Sequence, residues 1–287
     1  MAHKFTSLAL VAALSVAGAA HALPSATTAF LPGVINNLSD DFGEILLDND
    51  MSGDISVGDV LFAQLGITSY PTSGVPANSV NELTVLSAIE VATTAVVPDV
   101  VCGATFASPN GDCASFTFKA PTATMATILS NLGIVISNPV GLSLSADTVA
   151  LFLEDTTPDF TNTNLATAND GDLRLVLDLV VANGDAWTAT GPTSILDFAA
   201  NDVGEGIGSF SLNLTVTGNG FPNWVFGPNA TGRGNLSRAE AGAESPIGGD
   251  ASFFMFADTV PEPTSLALLS LGLVGLGARA RRNKASV

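Results

Sequence analysis

Apolar and polar residues alternate with the two-residue period of a half-buried strand through much of the middle of the chain. Leu173, Leu175, Leu177 and Leu179 fall on one side, with Arg174 and Asp178 on the other. Phe210, Leu212, Leu214 and Val216 alternate with Ser211, Asn213, Thr215 and Thr217. Phe116-Thr117-Phe118, Val149 to Leu153, Ser252 to Phe256 and the Val-, Thr- and Ile-rich run Leu83 to Val91 read the same way. Turn formers separate these runs at Asn138-Pro139, Asn169 to Asp172, Asn183-Gly184 and Gly218-Asn219-Gly220. Thr124 to Leu132 is the best helix candidate, and it is short. Thr156 to Ala168 and the Gly- and Ala-rich stretch Gly227 to Asp250 read as long loops. No internal repeat stands out, and no boundary compels two domains. Many short strands with Gly and Asn turns predict a mainly β fold, an antiparallel β-sandwich or jelly roll.

The two ends of the chain break this pattern. His3 and Lys4 precede an apolar run from Leu8 to Ala20, and Ala20-His21-Ala22 fits the small-x-small cleavage rule. Residues 1–22 therefore read as a secretory signal with Leu23 as the mature N-terminus, the alternative being an uncleaved anchor helix. At the other end, Ser265 to Ala278 is an uncharged apolar run followed by Arg279, Arg281, Arg282 and Lys284. About 14 residues at ~1.5 Å each span roughly 21 Å, short of the ~30 Å of a hydrocarbon core, so spanning calls for snorkelling flanks or a thinner bilayer. The basic end predicts a cytoplasmic C-terminus, with everything before it outside. A plain membrane anchor is one alternative for this tail. A terminal core helix is the other, and it lacks the polar face such a helix needs.

Pro261-Glu262-Pro263, the apolar segment after it and the Arg cluster resemble the PEP-CTERM sorting domain of exported Gram-negative bacterial proteins. The resemblance covers residues 260–284 and implies recognition by an exosortase, a membrane transpeptidase that cuts near the tripeptide. It also implies a transient inner-membrane stage, then the cell surface or an exopolysaccharide matrix. The expected layout is a signal peptide at 1–22, a secreted β-rich ectodomain at 23–259 and a sorting tail at 260–284. Within the tail, the transmembrane helix is expected at about 265–278 and the basic end at 279–284.

Removing both ends sharpens the charge. The cations left are Lys119, Arg174, Arg233 and Arg238, and 26 acids stand against them, a net charge of −22. Such a surface repels nucleic acid and anionic membranes, keeps a secreted protein soluble and favours divalent cations. Both histidines, His3 and His21, go with the signal. A mature chain without histidine cannot build a Ser-His-Asp triad, a Cys-His pair or a His-ligated zinc site, which leaves carboxylate chemistry such as a glycosidase pair. Cys102 and Cys113 lie in the exported part, where an oxidising compartment favours a bridge. The turn former Pro109-Asn110-Gly111-Asp112 lies between them, and closing so short a loop contributes roughly 3 kcal/mol in the chain-entropy model.

One ectodomain stretch has specific chemistry: Asp48-Asn49-Asp50-Met51-Ser52-Gly53-Asp54-Ile55-Ser56-Val57-Gly58-Asp59. Calcium takes six to eight oxygens, and a twelve-residue loop supplies them from positions 1, 3, 5, 7, 9 and 12, with Gly at 6. Those positions hold Asp48, Asp50, Ser52, the carbonyl of Asp54, Ser56 and Asp59, with Gly53 at 6 and an apolar Ile55 at 8. The stretch resembles an EF-hand or dockerin-type calcium loop, with Ser52 in place of the usual Asp or Asn and Asp59 in place of the bidentate Glu. Its alternative is an acidic turn between two strands, Gly43 to Leu47 and Val60 to Leu65. Glu154-Asp155 with Asp159, and Asp170 with Asp172, are less specific acid groups. Trp187 and Trp224 either stack on sugars or fill a core. The function expected is a non-enzymatic structural or adhesive role in biofilm or floc, with exosortase and exopolysaccharide as partners. A carbohydrate-binding module and a carboxylate-based glycoside hydrolase remain open.

Overall fold

A computed structural model describes residues 30–52, 55–67, 82–98, 112–156, 167, 169–180, 187–192, 208–222, 224–238 and 247–260. The strands in chain order are β1 (Val34–Leu47), β2 (Val60–Gly66), β3 (Glu82–Pro98), β4 (Asp112–Lys119), β5 (Thr148–Asp155), β6 (Asp172–Leu179), β7 (Trp187–Pro192), β8 (Gly208–Asn219), β9 (Trp224–Arg238) and β10 (Ile247–Thr259). One helix, α1 (Met125–Asn131), lies between β4 and β5. Apart from Trp224 and Thr259, the strands belong to one compact unit, Ser25–Phe221 with Val225–Asp258. The other unit is Met1–Pro24, Pro222–Trp224 and Thr259–Val287, of which Pro222, Trp224, Thr259 and Val260 are described.

Among the described residues, the ten strands join a single sheet in the order β2-β1-β10-β9-β8-β6-β5-β3-β4-β7. Two further pairings, β2 with β3 and β8 with β7, bring it back on itself. The fold is therefore mainly β and antiparallel, as expected, but it is one curled sheet and not the two sheets of a sandwich. Curling back removes open edges that would otherwise invite pairing with other chains. β3 shows how one strand serves three neighbours. Its first half pairs with β2 and β5, a register shift follows between Val91 and Thr93, and its second half pairs with β4.

Several strands are buried along both faces, unlike the half-buried strands the alternation implied. β2 is buried at every position, and β5 from Thr148 to Leu153. The helix supplies the second cover. Met125, Ile128 and Leu129 of α1 pack with Val60, Phe62, Leu86, Ala88, Leu151 and Leu153. The opposite face of β5 meets β10, where Phe152 and Phe253 lie edge to face at 5.3 Å. α1 starts where the sequence placed it. The Thr124 hydroxyl accepts from the Thr127 N–H at 3.3 Å, and Leu132 closes the helix.

Two expectations need correction. The four leucines of β6 do not share a side. The register skips Arg174, so Leu173 opposes Leu153 while Leu175 opposes Phe152. Directly opposed residues point to the same face, so Leu173 joins the helix side and Leu175 the Phe152 side. Within the stretch Gly227 to Asp250, residues 227–238 are strand β9 and residues 247–250 begin β10, while residues 239–246 lie outside the described residues. Its small residues serve close strand packing. A Cβ on Gly232 would stand 3.1 Å from Leu212 Cδ1 and 3.4 Å from Phe253 Cε1. Thr156 to Ala168 falls almost wholly outside the described residues, as do the signal segment and the expected transmembrane tail. Among the described residues no helix is long and apolar enough to cross a membrane.

Candidate functional site

The acidic loop connects β1 to β2, which pair antiparallel from Phe42–Leu65 to Leu47–Val60. Its base is tied to a third strand. The Gly58 N–H donates to the Val91 carbonyl at 2.9 Å, and the Val91 N–H donates to the Asp59 carbonyl at 2.8 Å. Ile55, the apolar residue at position 8, is buried and pins the loop inward. Gly58 has φ +99°, a conformation side chains other than glycine rarely adopt, and it lets the chain turn into Asp59. Met51 takes φ 58° at the exposed tip.

These constraints bring the carboxylates of Asp48, Asp50 and Asp59 together, with one oxygen of each within 4.8 Å of the others. Asp59 is fully buried. Its Oδ1 accepts from the Asn49 N–H at 2.9 Å, and its Oδ2 accepts from the Ser56 N–H at 2.8 Å and the Ser56 hydroxyl at 3.0 Å. The same hydroxyl lies 2.9 Å from Asp50 Oδ2. The Ser52 N–H lies 2.9 Å from Asp50 Oδ1 and 3.2 Å from Asp48 Oδ1. Hydrogen bonds from the Ser52 hydroxyl, then the Ser56 hydroxyl and the Ser52 N–H, hold the Asp50 carboxyl down at about 2. All three acids are thus oriented by donors, and three like charges at this spacing repel unless a cation sits among them.

Of the six sequence-predicted ligands, Asp48, Asp50, Ser56 and Asp59 meet at one place. Ser52 is present there as a hydrogen-bond donor to Asp50. Asp54 and Gly53 lie outside the described residues. Asn49 escaped the sequence reading. Its N–H holds Asp59 and its side-chain amide donates to the Gly58 carbonyl at 2.6 Å, closing the loop neck. No spacing rule marks it, because calcium-loop patterns count ligands and not the residues that orient them.

Several other acids serve the sheet. Arg174, the residue β6 holds out of register, bonds Glu154 at 2.9 Å and Asp172 at 3.3 Å across the opposed pair Glu154–Asp172. Asp172 also accepts from the Ser137 hydroxyl at 2.6 Å. Asp178 accepts from the Thr148 and Ser145 hydroxyls, each at 2.8 Å. Glu90 is buried, which by itself opposes ionisation. Lys119 at 2.8 Å and the Thr122 N–H and hydroxyl outweigh that and lower its pKa. Trp224 is buried, whereas the Trp187 side chain is not described. Cys113 is fully buried in β4, with its sulfur 3.8 Å from the Pro98 carbonyl oxygen at the end of β3. Cys102, Asp159, the cleavage residues Ala20 and Ala22, and the tail residues Pro261, Glu262, Pro263, Arg279, Arg281 and Arg282 lie outside the described residues.

Fold and loop together define a curled antiparallel β protein with an acidic hairpin loop. The end of the chain carries a known signal: residues 259–282 match the PEP-CTERM protein-sorting motif, beginning at the last residue of β10. No curated protein and no solved structure matches the chain. The motif marks an exported substrate of an exosortase, sorted to the cell surface by way of the membrane.

Proposed function

We propose that residues 23–259 form a non-enzymatic structural or adhesive protein of the cell surface or exopolysaccharide matrix, with calcium rigidifying the loop Asp48–Asp59. The observation that carries this reading is the convergence of Asp48, Asp50 and Asp59 on one point of a strand-anchored loop. A divalent ion there relieves the mutual repulsion and stiffens the β1–β2 hairpin. Further calcium bridges the acidic surface, with its net charge of −22, to anionic polysaccharide. A Cys102–Cys113 bridge fits the same role. Pro98 lies beside the Cys113 sulfur, and Cys102 follows Pro98 by four residues. A bridge there would close the β3–β4 connection.

Calcium titration of residues 23–259 by calorimetry and thermal melting tests the proposal. A ligand that binds the folded state at one hundred times its Kd adds about 2.7 kcal/mol of stability. The expected result is a calcium-dependent rise in Tm that Asp48→Ala/Asp50→Ala abolishes. An unchanged Tm at millimolar calcium would reduce the loop to a solvated acidic turn.

A further inference from the structure

Both ends of the described chain leave the sheet at the same place. β1 begins where β10 finishes: Val34 opposes Ala257, and the Gly33 N–H donates to the Ala257 carbonyl at 2.8 Å. Residues 8–20, the apolar run of the signal, lie upstream of this point along the chain. Residues 265–278, the apolar run of the tail, lie downstream of it. Large apolar side chains are exposed at this end. Ile35 is 69% exposed and directly opposes Phe256, which is 40% exposed. On β9, Gly227 lies under Phe256, since a Cβ there would stand 3.1 Å from Phe256 Cβ. Val225, two residues before it and so on the same face, is 49% exposed. Leu31 and Val34 are exposed at the rim. Phe30, Phe221 and Phe226 pack together with ring centroids 5.0 to 5.9 Å apart, Phe226 pointing to the opposite side of β9 from Val225.

We propose that Ile35, Val225 and Phe256 form a membrane-facing patch that rests on a zwitterionic phospholipid surface while the chain is tethered. The occupant follows from where the chain goes. Along the chain, four residues separate Val260 from the apolar run of the tail, and nine separate Phe30 from that of the signal. An apolar group of this kind on a soluble domain marks an interaction surface. One step deeper on the same face, Arg233 lies 4.4 Å from the centroid of Phe254. A guanidinium beside an apolar surface suits the depth of a phosphate headgroup. Asp258 shares the face nearer the end, and the exported part carries a net charge of −22, so uncharged or zwitterionic lipid fits and anionic lipid does not. Release of the tail would free the patch from lipid.

The test uses the full chain in phosphatidylcholine vesicles. A photoreactive benzophenone side chain is installed singly at Ile35, Val225 or Phe256, and at three reference positions. Met51 and Val57, exposed at the acidic loop, are the negative references, and Leu268 in the tail is the positive one. Irradiation is expected to give lipid adducts at Ile35, Val225, Phe256 and Leu268 and none at Met51 or Val57. Three sites on three strands guard against a single misfolded variant. Lipid adducts at Leu268 without any on the patch would overturn the inference and leave the sorting reading intact. Crosslinks from the patch to a second copy of the chain, or equal labelling at Val57, would overturn it as well. No adduct at Leu268 would remove the tether on which the inference rests.

Discussion

At one end of β1, Leu31, Val34 and Ile35 stand exposed beside Phe256. At the other end, Asp48 and Asp50 gather with a buried Asp59. The strand between is 14 residues, at ~3.3 Å each up to roughly 46 Å of chain. The acidic end is dense with donors: side-chain hydrogen bonds there link residues two to ten apart in sequence. The apolar end is assembled from strands at opposite ends of the chain, Ile35 with Phe256. One end is organised around a charge that has to be satisfied. The other presents surface that has not yet found its partner. Stability should therefore be sensitive to substitution at the acidic end and indifferent to it at the apolar end, while lipid contact should show the reverse.

The largest effect is expected at Ile55. It is 5% exposed beneath the acidic loop, so Ile55→Ala removes buried methyl groups and leaves a cavity costing about 2–5 kcal/mol. Chemical denaturation read as a shift in midpoint checks it. A change under ~0.5 kcal/mol would mean the loop is not anchored through this side chain and that its acids converge for some other reason.

Next comes Asp59. Asp59→Ala takes the acceptor from the Asn49 N–H, the Ser56 N–H and the Ser56 hydroxyl. Hydrogen bonds to a charged group contribute about 1.5–3 kcal/mol, and their loss is expected with or without calcium. Asp48→Ala at the more accessible side of the loop should cost less in calcium-free solution and remove most of the calcium response. The two substitutions thus separate the loop's hydrogen-bonded frame from its proposed cation site. Equal behaviour of both would collapse that distinction.

How much of each end the sequence shows follows from the same difference. The convergence of Asp48, Asp50 and Asp59 was legible because it is local: the spacing of the acids, the apolar residue at position 8 and the flanking strands all sit within one short stretch. The helix at Thr124 and the strands at Phe116–Phe118, Val149–Leu153 and Ser252–Phe256 were legible for the same reason. β9 was not, because glycines in close contact with neighbouring strands, Gly232 with Leu212 and Phe253 and Gly227 with Phe256, look like a loop to any reading of propensity. The β6 leucines misled because Arg174 is held out of register by Glu154 and Asp172, partners set by the tertiary fold. The curling of the sheet was out of reach. It rests on pairings such as β8 with β7 and on the helix that covers one face, so strands that alternate in sequence become buried on both sides. The apolar patch needs the β1–β10 register before it exists at all.

A smaller effect separates the ends by pH. Asp50 titrates at about 2 in the folded chain against an ordinary value of 3.8. A carboxyl lowered on folding contributes stability that is present above pH 4 and lost as pH falls toward 2. Glu90, held below its ordinary 4.5 by Lys119 and Thr122 against the cost of burial, acts in the same direction. Ser56→Ala removes one of the donors to Asp50, so that titration should move up toward 3.8 and the acid-side loss of stability should begin at higher pH. The carboxyl resonance followed by NMR between pH 5 and pH 2 reads this directly. An unmoved midpoint would show that Ser52 alone sets it.

The smallest expected change in stability is at Ile35. Its side chain is 69% exposed, and surface substitutions away from buried contacts stay within about ±0.5 kcal/mol. Ile35→Ser should therefore melt with the parent chain, and so should Val225→Ser. The more exposed of the two, Ile35, carries the cleaner contrast with Ile55: the same residue type, one near the start of β1 and exposed, the other buried in the loop beyond its end. A loss well above 1 kcal/mol at Ile35 would mean that Phe256 depends on it for packing, and the patch would then be an outlying piece of the core. A silent melt together with a faster release of the tethered chain from phosphatidylcholine vesicles would place the contribution of Ile35 outside the fold, in the contact the sheet makes with the membrane.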